Sequence, residues 1–179
     1  MLRDLRQSVG LLYARWCFRN DREPQQPLTD FFRRSRKILV LLPQGNKEAA
    51  LAGTTLNKLW DMLKNMHLTV VTTGIRPTLL SDSLQSEVIL LKNVDVNKFF
   101  IPRKTVLQRV LAQSYDVAVD LNLDFILHAA YICKASRAPV RVAAMRQHGE
   151  TFFNVQLNLD RTASPQVVYE KFVECLGMF

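Results

Sequence analysis

Two short groups of polar residues follow apolar runs in this sequence and could carry chemistry. Gly45, Asn46 and Glu48 come directly after the apolar run at 38–42 and open a stretch rich in Ala and Leu that is typical of a helix. A turn between a strand and a helix can hold an anion, because the first N–H groups of the helix point outward there. Glu48 adds a carboxylate that could act as a general base.

The glycines near this turn do not form a phosphate-binding motif. A Walker loop needs GxxxxGK followed by Ser or Thr, and the dinucleotide fingerprint needs GxGxxG. Here Gly45 stands alone, Lys47 is followed by Glu48, and the next glycine is Gly53. We therefore favour a plain structural turn over an anion site, and we predict no cofactor.

The second polar group consists of Asp120, Asn122 and Asp124, which follow the apolar run at 115–121. Ligands of open α/β sheets bind at the carboxyl ends of the strands, where these residues are predicted to lie. Capping of the next helix explains the same residues at least as well. Both interpretations stay open at this point.

Histidines and cysteines are scattered along the chain: His67, His128, His148, Cys17, Cys133 and Cys175. They show neither HExxH nor CxxC spacing, so we expect no metal site and no disulfide framework. The odd, widely spaced cysteines indicate a reducing compartment. His128 lies beside the apolar side of its predicted helix, which favours packing over chemistry.

Positive charge is concentrated in the first part of the chain. The formal net charge is +8, and residues 1–37 hold nine Arg and Lys against four Asp and Glu, so they supply +5 of it. Such an excess favours acidic partners. No nucleic-acid-binding motif accompanies it, so nucleic acid is an unlikely partner and rests on charge alone.

The first residues have the spacing of an amphipathic helix, and residues 20–37 resemble a polar strap. The apolar positions of the predicted helix are Leu2, Leu5, Val9, Leu12 and Trp16. The arginines in the helix and in the strap include Arg3, Arg6, Arg15, Arg33 and Arg34. We predict that these ten residues dock on a protein partner or on an anionic membrane surface. The alternative is that the helix packs on the chain's own sheet.

No apolar run reaches the roughly 18 to 20 residues that a membrane span requires. Charges at the N-terminus also interrupt the apolar core that a signal peptide would have. The sequence therefore predicts a cytoplasmic protein that can be peripheral on the cytoplasmic face of a membrane.

From residue 38 onward, predicted strands alternate with predicted helices. The strands are expected at 37–42, 68–73, 87–91, 115–121, 138–145 and 152–159, and the helices at 46–66, 104–113, 124–136 and 164–176. This alternation predicts βαβ units and a mainly parallel, doubly wound sheet with helices on both faces. We predict a leader at 1–37 and one α/β domain at 38–179.

The stretch YDVAVDLNLDFILHAAYICKASRAPVRVAA, residues 115–144, resembles a segment of the heptosyltransferase-like glycosyltransferases. The matching positions are Tyr115, Asp116, Asp120, Leu121, Ala138, Pro139 and Arg141. The run at 38–42 is similar to the first strand of that family. The resemblance implies the acceptor-side, Rossmann-like domain of a two-domain enzyme.

The same resemblance also implies a departure from the family. These enzymes place a Gly-Asp pair after the first strand, and its Asp activates the acceptor hydroxyl. At this position the chain has Gly45-Asn46 or Lys47-Glu48. Asn46 cannot accept a proton, which leaves Glu48 as the candidate base. The second, donor-binding domain is not expected within 179 residues.

These departures favour a non-catalytic role. We expect an accessory subunit of a larger, membrane-associated complex, bound to other protein subunits. Small glycosyltransferase-like chains of this kind are expected in photosynthetic reaction centres, among other assemblies. The alternatives are a glycosyltransferase half completed by another chain and using a nucleotide sugar, and a nucleic-acid-binding protein.

Overall fold

A computed structural model of the chain describes residues 2–21, 31–58, 66–73 and 86–178. The strands are β1 (Lys37–Leu41), β2 (His67–Thr72), β3 (Ser86–Leu90), β4 (Val117–Asp120), β5 (Val140–Ala144) and β6 (Val155–Leu157). The helices are α1 (Leu2–Phe18), α2 (Phe31–Arg34), α3 (Asn46–Lys58), α4 (Lys104–Val110), α5 (Leu127–Ala135) and α6 (Pro165–Gly177). Among the described residues, short 3-10 helices lie at Asn93–Asp95 and Gly149–Thr151.

The strands form one six-stranded sheet in the order β3-β2-β1-β4-β5-β6. Every neighbouring pair is parallel, and β1 pairs with both β2 and β4. This confirms the predicted fold class, a single Rossmann-like doubly wound sheet.

The central strands are buried because both of their faces are covered. Ile38 and Val40 face a core that includes Val117 and Val119, and Leu39 and Leu41 face a second core on the other side. Near-continuous apolar runs suit strands that are covered on both faces. The predicted burial of Leu39, Leu41, Val117 and Val119 is confirmed.

Helices cover the sheet on both faces. On one face α3 and α6 contact each other and contribute Ala49, Ala52 and Phe172 to the core. On the other face α5 lies between α1 and α4 and contributes Ile132. The leader helix is therefore part of the second layer rather than a detached element.

Several predicted elements are shorter in the structure. The strand expected at 152–159 is reduced to β6, because Phe152 and Phe153 lie in the turn before it, with both rings buried in the core. The helix expected at 46–66 is described from Asn46 to Lys58, and 59–65 lie outside the described residues. Of the expected strap, 22–30 also lie outside them, and Phe31 of α2 is a core residue.

Candidate functional site

Both predicted polar groups lie at the same edge of the sheet. The chain leaves β1 for β2 on one side and returns to β4 on the other, so the β1–β4 boundary is the switch point of the sheet. At such a point the loops after the two strands diverge and leave a crevice at their carboxyl ends. Gly45 follows β1, and Asn122 follows β4.

A cavity of about 390 Å³ occupies this crevice, and we call it the switch-point cavity. Its polar part is formed by Gln44, Gly45, Glu48, Asn122, Asp124, Arg161 and Tyr169. Four of these were candidates from the sequence. Asn46 and Asp120 do not line the cavity.

Glu48 lies in the first turn of α3, where a carboxylate interacts favourably with the helix dipole. Its carboxyl group folds back over Gly45, where a side chain at residue 45 would overlap it. The Ala49 N–H donates to the Gly45 carbonyl oxygen at 2.8 Å, so the helix begins at this turn. Glu48 is exposed and borders the cavity, which leaves its carboxylate accessible.

Asp120 was a candidate ligand-binding residue, and the structure corrects this. Its side chain is 0% exposed and is paired with the Arg146 guanidinium. Asp120 Oδ1 also accepts hydrogen bonds from Asn122 N at 3.0 Å and from Asn122 Nδ2 at 2.6 Å. A ligand in the crevice cannot reach this carboxylate, whose role is to connect the ends of β4 and β5.

Arg146 completes this connection. Its guanidinium donates to the carbonyl oxygens of Asn122 and Asp124, the latter at 2.9 Å, and lies 4.8 Å from the centre of the Phe153 ring. The loop after β4 is therefore held by one buried arginine. Arg141 is also buried and donates to the Phe152 and Ala138 carbonyl oxygens, so neither arginine is a free phosphate-binding group.

Asp124 and Arg161 form an exposed ion pair at the mouth of the cavity, with Arg161 Nη2 2.6 Å from Asp124 Oδ1. Tyr169 forms part of the cavity wall, and its ring is buried. Burial raises the pKa of the Tyr169 hydroxyl, and the negative charge of Glu48 adds to that effect. This hydroxyl makes no hydrogen bond within the described ranges.

A second cavity, of about 450 Å³, lies between α1 and the sheet edge, and we call it the α1 cavity. Its polar lining includes Arg3, Gln7, Gln44, Lys92, Asn97 and His128. The Gln44 amide lies 2.8 Å from His128 Nε2. Burial lowers the pKa of His128 to about 4, with partial opposition from the Asp120 charge, so the imidazole is neutral near pH 7.

The inner face of α1 packs on the domain through Gly10, Leu11 and Ala14. A side chain at residue 10 would overlap the Phe99 carbonyl oxygen and lie 3.0 Å from Leu127 Cδ2. Glycine is therefore required here for the close approach of the two backbones.

The outer face of α1 exposes the predicted apolar stripe. The exposed fractions are Leu2 70%, Leu5 62%, Val9 43%, Leu12 66% and Trp16 59%, and Tyr13 on the same face is 50% exposed. At roughly 100° per residue these six positions share one side of the helix, opposite the inner face. The helix is thus apolar on two opposite sides, one of them uncovered.

The arginines chosen from the sequence have different surroundings. Arg3 lies over the Phe100 ring at 5.8 Å, and Arg15 Nη2 lies 3.0 Å from Glu150 Oε1, so both contact the chain's own domain. Arg6 and Arg34 are exposed. The side chain of Arg33 lies outside the described residues. Fewer of these charges are therefore free for a partner than the sequence suggested.

Sequence reasoning missed Arg161, Tyr169 and Gln44, and of the α1 cavity it singled out only Arg3, as a docking residue, and His128, as a packing residue. Arg161 and Tyr169 are about forty residues or more from the groups they face, and no local pattern links them. Pro165 at the start of α6 was the only nearby signal. It located the helix but not the cavity.

No family model matches the sequence, and no curated protein matches it either. Solved structures match the fold. A family 9 glycosyl transferase from Veillonella parvula is 17% identical, with a TM-score of 0.60 over 80% of this chain and 42% of that chain. The E. coli heptosyltransferase WaaC with ADP is 13% identical, with a TM-score of 0.63 over 78% of this chain and 46% of that one. E. coli ADP-heptose lps heptosyltransferase II is 18% identical, with a TM-score of 0.59 over 76% and 40%.

The resemblance to heptosyltransferase-like glycosyltransferases is therefore confirmed at the level of the fold. This chain spans less than half the length of each of these structures. Its sheet and helices have a glycosyltransferase-like α/β fold. Within the described ranges, no helix has the length and apolarity to cross a bilayer.

Proposed function

We propose that this protein is a non-catalytic interaction subunit that binds another protein through the outer face of α1. The observation that carries the proposal is the uncovered stripe of Leu2, Leu5, Val9, Leu12 and Trp16. An amphipathic helix that lays such a stripe into an apolar groove is a recurrent mode of protein recognition. The assembly we propose is a membrane-associated complex, of which a photosynthetic reaction centre is one example.

The helix is held in a fixed position while its outer face stays open. Phe18, at the end of α1, packs on Tyr131 with ring centres 4.9 Å apart and on Phe152 at 6.2 Å. Gly10 allows the middle of the helix to lie against the Phe99 backbone. A partner therefore meets a helix that is already ordered, which lowers the entropic cost of binding.

Covering the stripe would contribute substantially to binding. Full burial of a Leu or Trp side chain is worth about 1.5 to 3 kcal/mol. Leu5 and Leu12 are 62% and 66% exposed, so each has more than half of that burial still available. The two leucines together then contribute about 2 to 4 kcal/mol, or at least thirtyfold in affinity.

The charges beside the stripe indicate the chemistry of the partner. Arg6 is exposed on one side of it, and Arg19 on the other lies 5.1 Å from the centre of the Trp16 ring. An apolar groove with acidic residues along its edges fits this surface. Such charges steer association and make it sensitive to salt.

The test compares the natural chain with the double variant Leu5→Ser/Leu12→Ser, each expressed in the native host and purified under native conditions. We expect the natural chain to co-migrate with a defined partner at fixed stoichiometry, with cross-links to α1, and the double variant to elute free. Leu111→Ser is the control, because Leu111 is an exposed leucine outside the stripe. Binding to anionic vesicles without a protein partner would instead identify a membrane surface, and unchanged co-migration of the double variant would refute the proposal.

A second function, sugar transfer with another chain, is supported by the switch-point cavity. Glu48 borders that cavity with an accessible carboxylate, near the position where the matched enzyme family places its base. In this alternative a separate chain would supply the surface that closes over a nucleotide sugar. Turnover by the purified complex that is abolished by Glu48→Gln, but not by Glu174→Gln, an exposed glutamate outside the cavity, would establish it.

A further inference from the structure

The outer stripe of α1 has a regular spacing along the chain. Its five residues follow one another at intervals of three, four, three and four positions: Leu2, Leu5, Val9, Leu12 and Trp16. In a heptad labelled a to g, this spacing puts Leu2, Val9 and Trp16 at position a, and Leu5 and Leu12 at position d. A seam of apolar residues at a and d is the arrangement by which one α-helix packs along another.

The seam is also narrow. At about 100° per residue, its five positions cover about 80° of the circumference of α1. A helix that packs on a globular core usually has an apolar face at least about 100° wide, and a narrower stripe is typical of a coiled-coil seam. Tyr13 lies at the margin of the stripe, at a position e, and is 50% exposed. The width of the stripe therefore fits one helix laid alongside α1.

The side chains of the seam favour a pair of helices over a larger bundle. Leucine occupies both d positions, and the β-branched Val9 occupies the central a position. In coiled coils, a β-branched residue at a together with leucine at d favours two strands. The opposite side of α1 is already packed on the domain through Gly10 and Ala14. One further helix is therefore enough to cover α1.

No acidic residue occupies the positions beside the seam. Arg6 and Tyr13 are at e, and Ser8 and Arg15 are at g. Arg6 is exposed, and Arg15 is half-buried beside Glu150 of the chain's own domain. Residues at e and g of paired helices meet across the seam, and their charges set the choice of partner. Glutamates at these positions of a partner helix would be attracted to Arg6, whereas lysines would be repelled.

We propose that the partner covers the outer stripe with a single amphipathic helix, which has apolar residues at heptad spacing and acidic residues beside them. This helix lies at about 20° to α1, the crossing angle of coiled-coil packing. The inference rests on the proposed function and narrows the partner's surface from an apolar groove to one helix. A second copy of this chain has no acidic residue at e or g, so it fits the flanks of the seam less well.

The seam is short, and the packing of α1 on the domain compensates for its length. The 17 residues of α1 give a helix of about 25 Å. Two separate helices of this length would both have to be ordered before they could pair, which is costly. Here α1 is already fixed by Gly10 and by Phe18, whose ring centre lies 4.9 Å from that of Tyr131. Only the partner helix therefore loses conformational entropy on binding.

The experiment uses the full chain, isothermal titration and circular dichroism, with synthetic peptides of about three heptads. The probe peptide has isoleucine at a, leucine at d, and glutamate at e and g, where like charges keep it from pairing with itself. One comparison peptide has lysine at e and g, and another has the probe's composition with its apolar residues moved off the heptad spacing. We expect saturable, micromolar binding of the probe with a gain of helix. The lysine peptide should bind at least about tenfold more weakly, and the respaced peptide should show no saturable binding.

Val9→Ser and Tyr13→Ser are a matched pair of variants on α1. The two side chains are 43% and 50% exposed, and Val, Tyr and Ser have similar helix propensities, so both variants should fold. Val9→Ser should weaken the probe about tenfold, because it removes packing at the centre of the seam and buries a hydroxyl there. Tyr13→Ser should weaken it less than about threefold, because Tyr13 lies at the margin. Arg6→Gln should bring the affinities of the probe and the lysine peptide closer together.

Several results would overturn the helix proposal. Equal binding of the probe and the respaced peptide would do so, as would a larger loss in Tyr13→Ser than in Val9→Ser, because the surface would then be a broad face rather than a seam. Self-association of the chain that is tighter than probe binding and is abolished by Leu5→Ser/Leu12→Ser would identify a second copy as the occupant. Binding to vesicles of anionic lipid but not to the probe would identify a membrane.

The peptide titration and the co-migration experiment can fail separately. A chain that co-migrates with its partner through the outer stripe but binds no probe refutes the helix proposal and leaves the proposed function standing. A chain that binds the probe with the expected order of variants, but has no partner in its native host, supports the seam and refutes the proposed function.

Discussion

Replacing Asp120 by Asn should destabilise the whole domain, because this carboxylate is the counter-charge of a buried arginine. The side chains of Asp120 and Arg146 are 0% and 2% exposed. Water therefore cannot take over the role of either group when the other is lost. The substitution is nearly isosteric, so its effect reports on charge rather than on packing.

The size of the stability loss in Asp120→Asn depends on the hydrogen bonds that Arg146 keeps. Removing one partner of a buried ion pair costs about 3 to 5 kcal/mol, because the other charge is left uncompensated. Asn at position 120 still accepts from Asn122, and Arg146 still donates to two carbonyl oxygens, so the lower end applies. A loss of about 3 kcal/mol corresponds to a fall in Tm of about 6 to 12 °C for a chain of this size.

The neighbouring Asp124–Arg161 pair provides the control. Its atoms are 2.6 Å apart, but the two side chains are 83% and 45% exposed. An exposed pair contributes at most about 1 kcal/mol, so Arg161→Gln should change the free energy of unfolding by less than that. Urea unfolding and thermal denaturation of the three proteins measure the difference.

The double variant Asp120→Asn/Arg146→Met separates charge from other effects. With no buried charge left unpaired, it should recover part of the stability that Asp120→Asn loses, and the two single effects should not add. Equal destabilisation by Asp120→Asn and Arg161→Gln would refute the reasoning. So would strictly additive effects in the double variant.

Three further predictions concern α1, His128 and Glu48. Gly10→Ala should loosen α1, because a side chain at this position overlaps the Phe99 carbonyl oxygen. Overpacking costs about 1 to 3 kcal/mol, which exceeds the helix-propensity gain of about 1 kcal/mol. Faster hydrogen exchange in α1 would show the loosening, and a rise in Tm would contradict it. The free energy of unfolding should fall as the pH drops from 6.5 towards 4, because His128 in the unfolded chain binds a proton that the folded group, with its pKa of about 4, does not. Between pH 7.5 and 4.5 the natural chain should lose about 2 to 3 kcal/mol more than His128→Gln. Equal losses would show that His128 is not responsible. The purified chain alone should not turn over nucleotide sugars, since one side of a cleft cannot supply the positioning that is worth roughly 7 to 11 kcal/mol; robust turnover that Glu48→Gln abolishes would show that the carboxylate is a working base.

The strands were predictable because their signal is local. Runs such as those of β1 and β4 are apolar at nearly every position, which occurs when both faces of a strand are covered. The length of β6 was overestimated because the prediction relied on the same apolar signal. Phe152 and Phe153 add to the apolar run, yet they fill the core from a turn and make no strand pairing.

The candidate site was predictable only in part, because its connections are between distant residues. Position at a strand end made Asn122 and Asp124 candidates for ligand binding or helix capping, and in the structure both border the switch-point cavity. Nothing near Asp120 in the sequence shows that its counter-charge is Arg146, 26 residues later. The burial of this pair reverses the expected role of Asp120, from ligand binding to support of the loop.

The leader helix illustrates a limit of periodicity. Large apolar side chains mark the outer face, so the spacing of Leu2, Leu5 and Leu12 was easily found. The inner face makes its contact with Gly10, Leu11 and Ala14, of which only Leu11 is a large apolar residue. Packing on the domain and docking on a partner were treated as alternatives, but packing leaves the opposite side of the helix uncovered, so one does not exclude the other.

Gln44 is shared by the switch-point cavity and the α1 cavity. Its side chain lines both the switch-point cavity and the α1 cavity, and its amide contacts His128 between them. A ligand that draws the Gln44 amide towards one cavity must break or rebuild the contact with His128, a buried group for which a lost partner is costly. The hydrogen bond between Gln44 and His128 therefore links the linings of the two cavities.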